Sequence, residues 1–251
     1  ADLAKVADAL RAGRGQILSN WLEAAAHQPF HRERPDGAVA DHIPELSASR
    51  ILGDFIGSAA RPYIVFDVER TVRGLESLSA RGAAILSLSH LASEFFFVMK
   101  ETAQGDLVLD EPALDHAMAA IGDRPFMAYG FTYLLFQAHT QLAAMPRVRR
   151  AHPDSVLLHS GGWKRMTQLA VDKPVFNRII ADVWQVAPAQ VVDFYGAVEQ
   201  VGMPYPDCKE GLKHVPYWAD VIVRSADSHT APFSGACGLR VECAGVNFID
   251  V

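Results

Sequence analysis

The sequence predicts an α/β fold, a mainly parallel sheet with flanking helices, preceded by a small all-helical segment and followed by short β strands. Three observations carry this. Short apolar runs bounded by turn residues recur between Tyr63 and Phe194, longer stretches with helical periodicity separate them, and the blocks on either side have a different texture. Strands separated by helices need crossover connections, which lay the strands parallel and cover the faces of the sheet. The corresponding divisions are 1–50 for the helical N-terminal segment, 51–210 for the α/β core and 211–251 for a β-rich subdomain.

Residues 1–28 read as helix, because Leu3, Val6, Leu10, Ile17, Leu18, Trp21 and Leu22 recur at spacings of three, four and seven among Lys, Arg and Asp. Pro29 and Pro35 end that pattern. A second helical stretch, 36–49, carries Val39, Ile43 and Leu46 on one side. The core then opens with the strand Tyr63–Phe66 and a helix from Val68 to Ala80. Further strands are expected over Ala83–Leu86, Phe95–Met99 and Leu107–Leu109, where apolar and aromatic residues run together. Glu111–Ile121 reads as a helix with Pro112 in its first turn, where a missing N–H matters little. Strand Pro125–Tyr129, helix Thr132–Met145, strand Ser155–Leu158, helix Lys173–Trp184 and strand Gln190–Phe194 continue the alternation. Past Gly211 the expected elements are the short strands His214–Trp218, Asp220–Val223 and Leu239–Cys243.

Composition narrows the class. Half of the 251 residues are apolar and 21% are charged, so the chain has enough apolar side chains to bury a core and is not of the disordered type. A net charge of −6 excludes a general nucleic-acid binder, which needs clustered Lys and Arg; Arg147, Arg149 and Arg150 are too small a group and read as a solvated loop. Cys208, Cys237 and Cys243 lack metal or redox spacing and read as small apolar residues in a reduced compartment. No apolar run approaches the ~20 residues of a membrane span, and the N-terminus lacks the pattern of a signal peptide, so the expected location is cytoplasmic.

Two glycine turns follow apolar strands and carry the chemistry: Leu157-Leu158-His159-Ser160-Gly161-Gly162-Trp163-Lys164, and Val191-Val192-Asp193-Phe194-Tyr195-Gly196-Ala197-Val198-Glu199. In an open α/β sheet, ligands bind where strands end and the chain turns away, and glycine lets backbone approach a ligand closely. Tyr195 could lie on a purine ring, and the Glu199 carboxylate could reach a Mg²⁺ held by phosphates. Each residue alone has a plainer reading: a turn glycine, a packing aromatic, a solvated acid. Among the histidines, His27, His31 and His42 lack the partners of a metal site, His214 reads as packing, and His159 stands beside the glycine turn.

The stretch 63–238 resembles the acyl-protein synthetase (LuxE-type) family, a branch of the adenylate-forming ligases. The residues that carry this are Arg81-Gly82-Ala83-Ala84-Ile85-Leu86, Ala92-Ser93-Glu94-Phe95, Gly122-Asp123-Arg124-Pro125-Phe126 and Tyr129-Gly130-Phe131-Thr132, followed by the two glycine turns, His214-Val215-Pro216 and Ala219-Asp220-Val221. The resemblance implies that ATP activates a fatty acid to an acyl-adenylate, with Mg²⁺, and that the acyl group passes to a thiol on an acyl-accepting protein or reductase partner. Ser160, Gly161, Gly162, Tyr195 and Gly196 would then border the nucleotide, Tyr195 stacking on adenine. Glu199 would assist the metal, and Lys164 would serve the phosphates as the catalytic cation. The place of the family's threonine/serine- and glycine-rich phosphate loop reads Gly53-Asp54-Phe55-Ile56-Gly57-Ser58-Ala59-Ala60-Arg61-Pro62, in which only Gly57 and Ser58 fit. The alternative is a non-catalytic nucleotide-binding or sensing module with a degenerate ligase core. Residues 1–48 resemble a helical sensing domain of bacterial stress regulators, and 241–251 resemble the opening strand of quinone oxidoreductases, with no Gly-x-Gly-x-x-Gly unit to support the latter activity.

Overall fold

A computed structural model describes residues 51–53, 56–57, 59–73, 79–146, 149–196, 204–208 and 211–215. All belong to the second of two units into which the chain divides, Ala48–Val251. The helices expected over 1–28 and 36–49 and the strands expected over 220–223 and 239–243 lie outside the described residues. So does most of the strand expected from His214; Lys213 makes only an isolated bridge to Asp207.

The elements alternate as the apolar runs require. They are β1 (Arg61–Val65), α1 (Arg70–Arg73), α2 (Ala80–Ser87), β2 (Ala92–Phe97), β3 (Met99–Glu101), β4 (Leu107–Leu109) and α3 (Glu111–Ile121). Then follow β5 (Met127–Phe131), α4 (Thr132–Ala143), β6 (Val156–Ser160), α5 (Lys173–Trp184), β7 (Val191–Tyr195) and β8 (Tyr205–Pro206). One sheet has the order β2-β1-β5-β6-β7-β8, while β3 and β4 form a separate antiparallel hairpin. Neighbours from β2 through β7 are parallel and β8 is antiparallel to β7. The chain therefore runs outward from β1 to β2, returns past β1 to β5, and continues to β6 and β7. The direction of winding reverses between β1 and β5, and crevices at the carboxyl ends of strands near such a reversal are where these sheets hold ligands.

Every residue of β5 and β6 is buried, which explains why Met127–Tyr129 and Val156–Leu158 read as apolar runs rather than as alternation, and why His159 and Ser160 need internal hydrogen-bond partners. On one face, the Tyr63 hydroxyl donates to the Ile85 carbonyl of α2 at 3.5 Å. On the other, Phe66 packs against His139 of α4 with ring centres 5.0 Å apart, and Phe126 meets Trp184 of α5 edge-on at 5.3 Å. His139 Nδ1 donates to the Leu135 carbonyl at 2.7 Å, which leaves Nε2 as the acceptor for Trp184 Nε1 at 2.7 Å. Helices α4 and α5 are thus joined inside the core by one neutral imidazole. Burial pushes its pKa down to about 4, against the backbone hydrogen bond that raises it.

Several expectations are corrected. The helix expected from Val68 to Ala80 is not continuous: α1 covers Arg70–Arg73, and Ser79 is extended, so Ala80 opens α2. Ala83–Leu86 is not a strand but the second half of α2. The Ile85-Leu86 pair suggests a strand, yet Ser79 Oγ caps the helix by accepting from Gly82 N at 3.1 Å. Three alanines favour helix, and the buried residues Gly82 and Ile85 fall three apart on one face. The strand expected over Phe95–Met99 instead spans Ala92–Phe97, and Met99 opens the β3–β4 hairpin. Strands β5 and β6 run two residues further than expected, to Phe131 and Ser160. That extension matters, because it sets the first glycine turn at the rim of the sheet.

Candidate active site

The rim at the end of β6 is built by backbone conformation. Gly161 and Gly162 have φ of +83° and +64°, left-handed values that side chains rarely adopt. A Cβ on Gly161 would also meet the Phe131 ring at 3.1 Å, whereas nothing stands within 4 Å of one on Gly162. The strand therefore ends in an abrupt turn that only glycine makes without strain. Ser160 is held from two sides: its Oγ is 2.8 Å from the Tyr129 hydroxyl, and its carbonyl accepts from Thr132 Oγ1 at 3.1 Å. Burial pushes the Tyr129 phenol well above its ordinary range, so the pair is a neutral hydroxyl couple.

The register between β6 and β7, His159 opposite Asp193, brings Tyr195 and Gly196 to the same rim as Ser160, Gly161 and Gly162. Tyr195 is half-buried, opposite Tyr205 on β8, with the two rings tilted and 6.2 Å apart.

Beneath this rim lies a polar cluster. Thr132 spends its one hydroxyl proton on the Ser160 carbonyl, so toward His159 Nδ1, at 3.0 Å, it can only accept. His159 thus carries its proton on Nδ1, and its Nε2 is buried with no hydrogen-bond partner among the described residues. Burial lowers the His159 pKa to about 4; Asp193 opposes the shift, and Lys213 and Lys173 add to it. Asp193 lies 3.6 Å from His159 Nδ1, 2.7 Å from Lys213 Nζ and 3.6 Å from Lys173 Nζ. Burial alone would push its carboxyl up, but His159, Lys213 and Lys173 outweigh it and hold the group below the usual carboxylate range. Asp207, 6% exposed, pairs with Lys173 and, at 3.2 Å, with Lys213.

The LuxE acyl-protein synthetase family matches residues 42–240, most of the chain. The chain belongs to this family. Among curated proteins nothing matches. The family match leaves 1–41 and 241–251 outside, so the resemblances noted for the two ends rest on their residues alone.

Within this LuxE-family chain, five of the seven expected site residues, Ser160, Gly161, Gly162, Tyr195 and Gly196, stand on one rim. Lys164 begins a short 3-10 helix, Lys164–Leu169, two residues after the glycine turn; its side chain is not among those described. Glu199 lies outside the described residues. Gly57 has φ +81° and its N–H donates to the Gly53 carbonyl at 2.9 Å, the geometry of a glycine that closes a helical turn. At the end of β1, buried Asp67 accepts from Val68 N and Thr71 Oγ1 at 2.8 and 2.7 Å and pairs with Arg81 at 3.1 Å.

The residues that sequence reasoning missed are Lys173, Asp207 and Lys213 beneath the rim, while Tyr129, Thr132 and Asp193 stood in quoted motifs but were given no role. One signal for them was present. An acid inside the apolar strand Val191–Tyr195 needs a counter-charge, and a search for a cation should have started there.

Proposed function

We propose that this chain activates a fatty acid with ATP and passes the acyl group to a thiol of an acyl-accepting or reductase partner. Family membership supports ligase chemistry on acyl groups. The observation that carries the finer reading is the convergence of Ser160, Gly161, Gly162, Tyr195 and Gly196 at the carboxyl ends of two adjacent parallel strands, on the edge of the sheet where open α/β folds take ligands and on the β5 side of the reversal.

In the proposed reaction a carboxylate oxygen attacks the α-phosphorus and pyrophosphate leaves; a thiolate then attacks the acyl carbon and AMP leaves. The glycine turn lets the nucleotide approach the backbone, and Tyr195 lies against the adenine. Lys164 would balance charge on the phosphates. A Mg²⁺ would supply further charge balance there, and Glu199 is the residue assigned to it. Asp193 and Asp207 do not fit that ion, because both carboxylates are already paired with ammonium groups. Among the described residues no group of three His, Cys, Asp or Glu side chains is placed to hold a metal. Nor is any described helix long and apolar enough to cross a membrane.

The test is fatty-acid-dependent exchange of labelled pyrophosphate into ATP. Exchange above background, with a KM for ATP raised about tenfold by Tyr195→Ala through loss of stacking, is expected. ATP binding by calorimetry without any exchange would turn the reading toward the non-catalytic module.

A further inference from the structure

Asp193 and Asp207 face each other across the β7–β8 ladder. Tyr195 is opposite Tyr205 and Phe194 opposite Pro206, and the next step inward is closed by the Asp207 N–H donating to the Asp193 carbonyl at 2.8 Å. Like charges directly opposite one another on adjacent strands destabilise the pairing, and here they stand in the stem that carries Tyr195. The two lysines come from outside the hairpin: Lys173 from the first turn of α5, and Lys213 from the segment that follows β8. Each contacts both acids.

We propose that Lys173 and Lys213 are positioning residues for Tyr195, neutralising two opposed carboxylates so that the β7–β8 stem stays paired and presents the tyrosine at the rim. The inference rests on the nucleotide reading for its consequence in catalysis, but its structural content does not. With both lysines present the four charges balance. Remove one, and the stem holds one uncompensated negative charge at neutral pH. A proton shared between the two carboxyls would relieve it, so the defect should fade in acid. The groups facing Asp193 are His159 from β6, Lys173 from α5, Lys213 and Asp207, with the Tyr129 phenol also within its field. His159 is neutral here and cannot replace a lysine.

The experiment uses the full chain with Lys213→Met, Lys213→Arg and the pair Lys213→Met/Asp207→Asn. In pyrophosphate exchange near pH ~8, Lys213→Met should raise the KM for ATP roughly fivefold while kcat changes far less, with the defect shrinking near pH ~6. Lys213→Arg should behave as the parent. The double variant, which removes the opposed charge, should recover most of the loss. Hydrogen exchange at the Asp207 amide reads the stem directly and does not depend on any activity: it should quicken about fivefold in Lys213→Met and slow again in the double variant. An unchanged amide rate overturns the proposal, and so does failure of Asp207→Asn to restore it. Faster exchange with an unaltered KM for ATP also overturns it, because the stem would then open without moving Tyr195. A parent chain with no pyrophosphate exchange sinks the proposed function instead, and the amide rates still decide this one.

Discussion

Lowering the pH from about 7.5 to about 5 should weaken the core through two buried histidines. His139 and His159 are both held at a pKa of about 4 in the folded chain, against about 6.5 for an unfolded one. The unfolded state therefore takes up protons first as the pH falls. The stability is fully present above the unfolded value and is lost progressively down to the folded value. At pH ~5 the difference amounts to about 2 kcal/mol for each imidazole, about 4 kcal/mol together, against a total of roughly 5–15 kcal/mol for a typical domain. Asp193 stays out of this window, since its folded pKa is held below the ordinary carboxylate value and its contribution is lost only in stronger acid. Urea denaturation at constant ionic strength, followed by tryptophan fluorescence, measures the midpoint at each pH. His139→Gln keeps an acceptor for Trp184 Nε1 but binds no proton, so it should start less stable near pH 7.5 and lose about half of the pH slope. A flat midpoint between about pH 7.5 and 5, or a His139→Gln chain with the full slope, would refute the buried, neutral assignment.

Three further outcomes test the rim. Gly161→Ala should lower stability by about 2–3 kcal/mol and Gly162→Ala by about 1–2 in chemical denaturation, because both demand a left-handed backbone but only Gly161 also faces the Phe131 ring; equal losses would contradict the packing. Ser160→Ala should destabilise by about 1–3 kcal/mol by stranding the buried Tyr129 hydroxyl, and adding Tyr129→Phe should return part of that loss in a double-mutant cycle. Lys164→Met should reduce kcat for pyrophosphate exchange by about tenfold or more while leaving the denaturation midpoint in place; a parent-like rate removes Lys164 from the mechanism.

The sequence showed the backbone parts of this site and hid its charges. Gly161 and Gly162 were legible because left-handed turns at a strand end select glycine, and Lys173–Trp184 was legible because Phe176, Ile180 and Trp184 recur every fourth residue. The order of apolar runs announced the parallel sheet. Ala83–Leu86 misled because two branched residues dominate so short a window, and the deciding feature, the Ser79 cap, lies upstream of it. The charge cluster was hidden for another reason. Lys173, Asp193, Asp207 and Lys213 are spread over forty positions of sequence, and only the strand order and the β7–β8 reversal bring them together.

That cluster also constrains the proposed handling of a triphosphate at the rim. Among the described residues, Lys173 and Lys213 are cations under the β7 end of the rim, and both are committed to carboxylates. Toward the β1 end, Arg81 is committed to Asp67. Gly57, the residue that best fitted a phosphate loop, closes a helical turn. Releasing one of these cations for phosphate would leave an acid buried without its partner, which costs several times what an exposed ion pair contributes. In the proposed reaction, charge balance on the α-phosphate would therefore come from groups outside these pairs. Lys164, two residues beyond the glycine turn, would supply that charge in the proposed reaction. The lysines beneath the rim are spent on Asp193 and Asp207. In the proposed reaction they would hold the stem that carries Tyr195, and the positive charge at the reacting centre would come from elsewhere.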